Sequence, residues 1–168
     1  MTGVTLAQLA VEVLSTSDGR EKTAISHRNA ARWREARAAG QPLAIGTGAP
    51  PLRPARPPRP DLLPPRDVPR RRPGSPQGRI ALLHALAHIE LNAVDLHWDI
   101  IARFTDVPMP PGFYDDWVKS ADEESKHFNL LCDCLEAMGS HYGALPAHAG
   151  MWRAAEDTAG DLMGRLAV

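Results

Sequence analysis

The 168-residue sequence has few aromatic residues, only two cysteines and almost no net charge. Phe, Trp and Tyr make up 5% of the chain, and the formal net charge is −1. A near-neutral chain has no overall field that would attract nucleic acid or a membrane surface. No stretch reaches the roughly 18 apolar residues of a membrane span, and the N-terminus lacks the pattern of a secretory signal. The sequence therefore predicts a cytoplasmic protein without a membrane segment.

The two cysteines, Cys132 and Cys134, are separated by one residue within a predicted helix. At this spacing their side chains project about 200° apart. This geometry suits neither a disulfide nor joint ligation of one metal ion. Reduced, partly buried thiols are therefore expected.

The composition predicts an all-α protein, because Ala, Leu, Arg and Glu are abundant and no alternating Val/Ile/Thr run occurs. The N-terminal segment, 1–40, contains two predicted helices, at 5–14 and about 22–39. A proline- and arginine-rich linker follows at 41–78. The third region, 79–168, carries the strongest helical pattern and is predicted to form a helical bundle.

The linker holds twelve of the sixteen prolines, and eight arginines lie between Arg53 and Arg79. Proline at this density disfavours helices and sheet ladders, so the linker is expected to be extended, either wrapped on the surface or connecting the two helical regions. Its arginines could contact RNA phosphates, which makes tRNA a weakly supported partner. No aromatic residues stand among them to stack bases, and a solvated linker is the favoured interpretation.

Three helices are predicted in the bundle region: helix A at about 79–105, helix B at about 112–138 and helix C from about Met151 onward. The short proline-rich turn between A and B makes them antiparallel neighbours. Helix C reaches the last residues without a cap, which led us to expect a truncated chain or a partner that covers it. Its predicted apolar stripe comprises Trp152, Ala155, Ala159, Met163 and Leu166.

Two glutamates occupy positions on apolar stripes. Glu90 lies on the stripe of helix A, and Glu124 lies on that of helix B, with His127 one turn later. A carboxylate that faces a core is costly unless it is paired or binds a metal. Because each glutamate is about midway along its helix, the antiparallel arrangement places the two at the same level.

Glu-x-x-His places both side chains toward one metal, and iron or manganese accepts carboxylate oxygen together with imidazole nitrogen. A complete carboxylate-bridged di-iron site takes a Glu from each of two helices and a Glu-x-x-His from each of two others. Glu90, Glu124 and His127 supply half of that set. A homodimer about a two-fold axis would complete it.

Other candidates are weaker. His84 and His88 share a face of helix A that points away from Glu90, so we expect surface histidines or packing on a second face. His97 is expected to lie in the core or to support the ligands. Asp122 and Glu123 are expected to form a solvated acidic face.

Three runs carry a resemblance to a known family: ALLHALAHIELNAVDLHWDIIARF (81–104), FYDDWVKSADEESKHFNLL (113–131) and GSHYGALPAHAGMWRAAEDTAGDLMGRLAV (139–168). They resemble an uncharacterised bacterial ferritin-like family that is distantly similar to the di-iron tRNA hydroxylases. The resemblance implies a ferritin-like four-helix bundle, with Glu90, Glu124 and His127 at first-half ligand positions. Members of that family continue through a fourth helix with a second acidic/His motif.

The sequence thus predicts a ferritin-like antiparallel bundle, incomplete with about three bundle helices. Three functions remain open. The first is a di-iron oxidoreductase or hydroxylase that is inactive as a monomer unless a dimer completes the site. The second is a non-catalytic helical module that docks a partner. The third is a fragment of an RNA-modifying enzyme.

Overall fold

The computed structural model describes residues 3–69, 72 and 74–167 and consists mainly of α-helices. Two strands of two residues, β1 (Leu62–Leu63) and β2 (Ala147–His148), pair in parallel, and a 3₁₀ turn covers Pro65–Asp67. The predicted all-α, bundle-like fold is confirmed. In chain order the helices are α1 (Leu6–Leu14), α2 (Gly19–Ala38), α3 (Pro76–Arg103), α4 (Pro111–Ala137), α5 (Met151–Asp157) and α6 (Leu162–Ala167).

The helices begin at residues that satisfy the free backbone N–H groups of a first turn. Thr5 and Gln8 form a reciprocal capping box at α1, in which each side chain accepts the other residue's backbone N–H. The side chains of Asp18 and Ser75 accept backbone N–H groups at α2 and α3. Proline occupies the first position of α3 and α4, where its missing N–H removes no helical hydrogen bond. Helix α1 lies where it was predicted, and α2 begins at Gly19, three residues before its predicted start near 22.

Helices α3 and α4 form the predicted antiparallel hairpin, and α1 and α2 pack on one side of it. The main core surrounds Trp98, which is fully buried and donates a hydrogen bond to Ser26. A smaller cluster around Phe128 lies at the other end of the hairpin and includes Cys132. Cys132 and Cys134 are both free thiols, one buried and one exposed, as predicted.

The proline-rich segment 41–69 wraps over the N-terminal helices as a strap. The backbone N–H groups of Leu6 and Ala7 donate to carbonyls in the strap, and that of Ala55 donates to the carbonyl of Leu14. We expected no sheet ladder in this segment. That expectation was wrong for β1, which lies between Pro60 and Pro64 and therefore keeps its backbone donors.

Helix α5 ends at Asp157, where the sequence predicted that a longer helix C would continue. The hydroxyl of Thr158 donates to the carbonyl of Ala154, and Gly160 follows within the turn. Both residues favour a helix end over a helix interior. The prediction of one continuous helix C was therefore wrong, and a second short helix, α6, begins after the turn.

The break redirects the apolar stripe that was predicted for helix C. Trp152 is buried, whereas Met163 and Leu166 are exposed. The buried residue of α6 is Arg165, whose guanidinium lies 2.6 Å from a carboxylate oxygen of Asp99. The Arg165–Asp99 ion pair and the packing of Leu162 against the main core, rather than the predicted stripe, therefore hold α6 in place.

Candidate metal centre

The three predicted ligands converge at the seam between α3 and α4. Glu90 comes from α3, while Glu124 and His127 stand one turn apart on α4. One ligand atom from each lies within 4.8 Å of the other two. His127 Nδ1 is 2.8 Å from Glu124 Oε2 and 3.7 Å from Glu90 Oε2. The hairpin therefore brings the two carboxylates to one level, as the antiparallel arrangement predicted.

The cluster lies at the edge of the hairpin rather than within its core. The side chains of Glu90 and Glu124 are 21% and 23% exposed, and that of His127 is 53% exposed. The stripes had suggested carboxylates that face a core. Because α1 packs on α3 and α2 packs on α4, the core lies on that side of the hairpin, and the carboxylates remain half-buried with an open side.

The two carboxyl groups influence each other's ionisation. Burial, followed by the hydrogen bond and the negative charge of Glu124, raises the pKa of Glu90 to about 7. Burial opposes ionisation of Glu124, but hydrogen bonds from Glu90 and His127 hold its pKa below the ordinary value. The hydrogen bond to Glu124 raises the pKa of His127. The two carboxyl groups therefore do not ionise independently, and a bound cation would offset the charge that opposes ionisation of Glu90.

The donor set fits a divalent first-row metal ion. Two carboxylates and one imidazole are ligands that Fe²⁺ and Mn²⁺ accept, and the exposed side leaves positions for further ligands. Among the described residues, no other group of three acidic, histidine or cysteine side chains lies close enough together to hold an ion. Two bridged ions would require further ligands.

His97 lies between this cluster and the end of the hairpin. Its ring centroid is 5.2 Å from that of Trp117 on α4. Its Nδ1 is buried and has no hydrogen-bond partner among the described residues. Burial lowers the pKa of His97, so the ring is neutral at pH 7. The ring is partly buried at the seam, in agreement with the expected core or supporting position.

A second polar face of α3 is buried beneath the strap. His84, His88, Asn92 and Asp95 are all at most 2% exposed, and Asp95 forms an ion pair with the buried Lys22 of α2. Of the two alternatives for the histidines, packing on a second face is the one observed. Sequence reasoning missed Asn92, Asp95 and Lys22 as buried groups, although the i, i+4 spacing of 84, 88 and 92 is a signal of one shared face.

A cavity of about 290 Å³ lies between this polar face and the strap. Arg56 reaches across it and donates a 2.6 Å hydrogen bond to the side-chain oxygen of Asn92. His88 Nδ1 is 2.9 Å from the hydroxyl of Tyr142, and His88 Nε2 is 3.2 Å from the carbonyl oxygen of His148. The polar groups that line the cavity are therefore bonded to one another.

We expected Asp122 to lie on a solvated acidic face, and this prediction was wrong. Asp122 is buried against α2, where Arg34 donates to it at 2.8 Å and the ring of His27 contacts it through Nδ1. These partners hold the pKa of Asp122 below its ordinary value despite burial. Glu123 is exposed, as expected. The error arose because the position of α2 relative to α4 cannot be read from α4 alone.

Several arginines of the strap bond to side chains of the same chain. Arg53 pairs with Glu156, Arg59 pairs with Asp61, and Arg56 bonds as described above. Arg66 is exposed. Of the eight arginines counted in the sequence, those at positions 70 and 71 lie outside the described residues. RNA binding by this segment stays a prediction.

Comparison with known proteins places the chain in a family. The profile of a family described as "Protein of unknown function (DUF455)" matches residues 15–168. A protein of Haemophilus influenzae strain Rd, described as an uncharacterized protein, is 41% identical over 117 residues, which are 67% of this chain and 41% of that relative. The chain thus spans less than half of the relative's length.

No solved structure matches the chain significantly. Among the described residues, no helix combines the length and the apolar character that are needed to cross a membrane. The match over residues 15–168 covers most of the sequence, and the chain belongs to the DUF455 family of proteins of unknown function.

Proposed function

We propose that this protein is a ferritin-like metal protein in which Glu90, Glu124 and His127 bind Fe²⁺ or Mn²⁺. The main support is the convergence of three ligand atoms from two antiparallel helices within 4.8 Å of one another. A Glu on one helix opposite a Glu-x-x-His on its neighbour is half of a carboxylate-bridged di-iron site. The resemblance of the helix sequences to ferritin-like proteins supports the same assignment and suggests an oxidoreductase or oxygenase of the hydroxylase type.

The residues prepare the site for a cation. A bound cation would favour the ionised form of Glu90, whose pKa burial and Glu124 raise to about 7 in the absence of an ion, so that both carboxylates could serve as ligands. His127 would exchange its hydrogen bond to Glu124 for the ion, to which Nδ1 would offer a lone pair. A bound iron pair would supply redox chemistry with O₂ that carboxylate and imidazole groups lack.

We further propose that a second copy of the chain provides the remaining ligands. Two copies related by a two-fold axis contribute two Glu residues and two Glu-x-x-His motifs, which is the complete set. Leu82, Ile89 and Leu130 support this arrangement, because they expose 60%, 39% and 61% of their surface on the hairpin that carries the ligands. A dimer would cover apolar surface that monomeric proteins seldom leave open.

Titration calorimetry with Mn²⁺ tests the metal assignment. The wild-type chain should bind Mn²⁺, and Glu124→Gln should weaken binding at least about tenfold, since it removes a charged ligand. Glu123→Gln is the matched control, because Glu123 is exposed, adjacent in sequence and outside the cluster. Equal affinities for the two variants would contradict the assignment. A dimer that binds no Mn²⁺ would favour the non-catalytic interaction module.

A further inference from the structure

An apolar cavity of about 240 Å³ opens at the end of the hairpin nearest the α3–α4 loop. Leu96 and Ile100 of α3, Trp117 of α4, and Met151 and Ala154 of α5 form most of its wall. Close packing leaves few spaces larger than a water molecule in a protein interior, so a cavity of this size calls for an explanation. Concave apolar sites with a few polar groups are typical of small-molecule binding.

The cavity lies on the same two helices, α3 and α4, that carry the three ligands. His97 follows Glu90 by seven residues, and Trp117 precedes Glu124 by seven. Two helical turns therefore separate the cavity wall from the carboxylates on both helices, a distance of about 10 Å along the axis. Because the rings of His97 and Trp117 are 5.2 Å apart, they form the partition between the cavity and the cluster.

The charge of the cavity favours a neutral ligand. Arg165 is the charged residue in its wall, and the carboxylate of Asp99 neutralises that guanidinium at 2.6 Å. A second guanidinium nitrogen of Arg165 donates to the carbonyl of Ala155, so this side chain is fixed. Apart from His97, the remaining residues of the wall are apolar.

We propose that this cavity binds a neutral, apolar group of the substrate, about 10 Å along the hairpin from the metal centre. The inference rests on the proposed function, since it makes the cavity the substrate side of the Glu90–Glu124–His127 site. Apolar contacts with α3, α4 and α5 determine which ligands the cavity binds. Charged small molecules should therefore bind less well than neutral ones.

Two probes, neutral indole and paramagnetic Mn²⁺, together test whether the cavity binds an apolar ligand and whether it lies near the metal cluster. Calorimetry measures the binding of each to the full chain. Proton NMR of indole then reports proximity, because Mn²⁺ bound at the cluster should broaden the indole signals when both occupy one chain. Glu124→Gln should remove the broadening while it leaves the affinity for indole unchanged.

A cavity-filling variant identifies where indole binds. Ala154→Phe places a ring in the cavity and should weaken indole binding at least about tenfold, which corresponds to about 1.4 kcal/mol. Arg153→Phe introduces the same ring at the adjacent exposed position of α5 and should leave the affinity unchanged. Thermal unfolding of both variants establishes that they are folded.

The outcomes separate this inference from the proposed function. Mn²⁺ binding without indole binding, or indole binding without broadening by bound Mn²⁺, would overturn the inference and leave the metal site in place. Absence of Mn²⁺ binding would overturn the proposed function and with it the role of the cavity. These wild-type results do not depend on the folding of any variant.

Discussion

The carboxyl groups of Glu90 and Glu124 meet across the seam of an antiparallel helical hairpin, within 4.8 Å of each other. Two carboxylates at this distance repel each other unless a proton or a cation lies between them. In the structure, His127 Nδ1 lies 2.8 Å from Glu124 Oε2, while burial and the nearby Glu124 raise the pKa of Glu90 to about 7. The arrangement costs stability in the absence of metal and becomes favourable when an ion binds.

Glu90→Gln should therefore have opposite effects on folding and on metal binding. Without metal, the variant removes one of two like charges and should raise the free energy of unfolding by about 1 kcal/mol, as is common for residues selected for function. Its affinity for Mn²⁺ should fall. Urea denaturation in the presence of a chelator and calorimetry measure the two effects, with Glu123→Gln as the control. A metal-free variant less stable than wild type would contradict this prediction.

The buried ion pair between Lys22 and Asp95 should be sensitive to the loss of one partner. Lys22→Met leaves Asp95 buried without a counter-charge and should destabilise the protein by about 3–5 kcal/mol. Changing both residues, Lys22→Met with Asp95→Leu, should recover much of this loss. Urea denaturation of the wild type and the two variants measures these changes in the free energy of unfolding.

The exposed pair of Arg28 and Glu12 provides a comparison for the buried pair. Arg28→Met should change the free energy of unfolding by less than about 1 kcal/mol, because solvent screens the pair. A double variant of Lys22 and Asp95 no more stable than Lys22→Met would show that the buried charges do not act as a pair.

Acid should destabilise the fold through His88. Burial lowers the pKa of His88 to about 4, whereas an unfolded histidine titrates near 6.5. Between these values the unfolded chain binds more protons than the folded one, so stability falls as pH decreases from 6.5 to 4. The loss should reach about 3 kcal/mol, since each pKa unit corresponds to about 1.4 kcal/mol.

Urea denaturation at a series of pH values measures this dependence on pH. His88→Gln should reduce the slope between pH 6.5 and 4, whereas His141→Gln should preserve it, because His141 is exposed. Equal slopes for wild type and His88→Gln would show that His88 does not remain neutral in the folded chain.

The features that depend on the pattern of a single helix could be predicted from the sequence. Glu90 and Glu124 could be found because each interrupts an apolar pattern on its own helix, and the proline-rich turn set their common level. Helix caps such as Asp18 are also local features of the sequence.

The features that were missed depend on contacts between distant segments. Asp122 appeared solvent-exposed, but Arg34 of α2 bonds to it, and the partner of Asp95 is Lys22, which also lies on α2. The cavity beside Trp117 requires α5 to end where it does. Such contacts depend on how the chain returns on itself, which helical periodicity does not encode.

Metal content and molar mass, measured together on chain produced in iron-supplemented medium, test the central claim most directly. Elemental analysis combined with light scattering should give about one iron or manganese ion per chain in a dimer, as expected when two half-sites complete one centre. The same measurement on Glu124→Gln should show no metal. A wild-type chain that is folded but metal-free would contradict the assignment of Glu90, Glu124 and His127 as ligands.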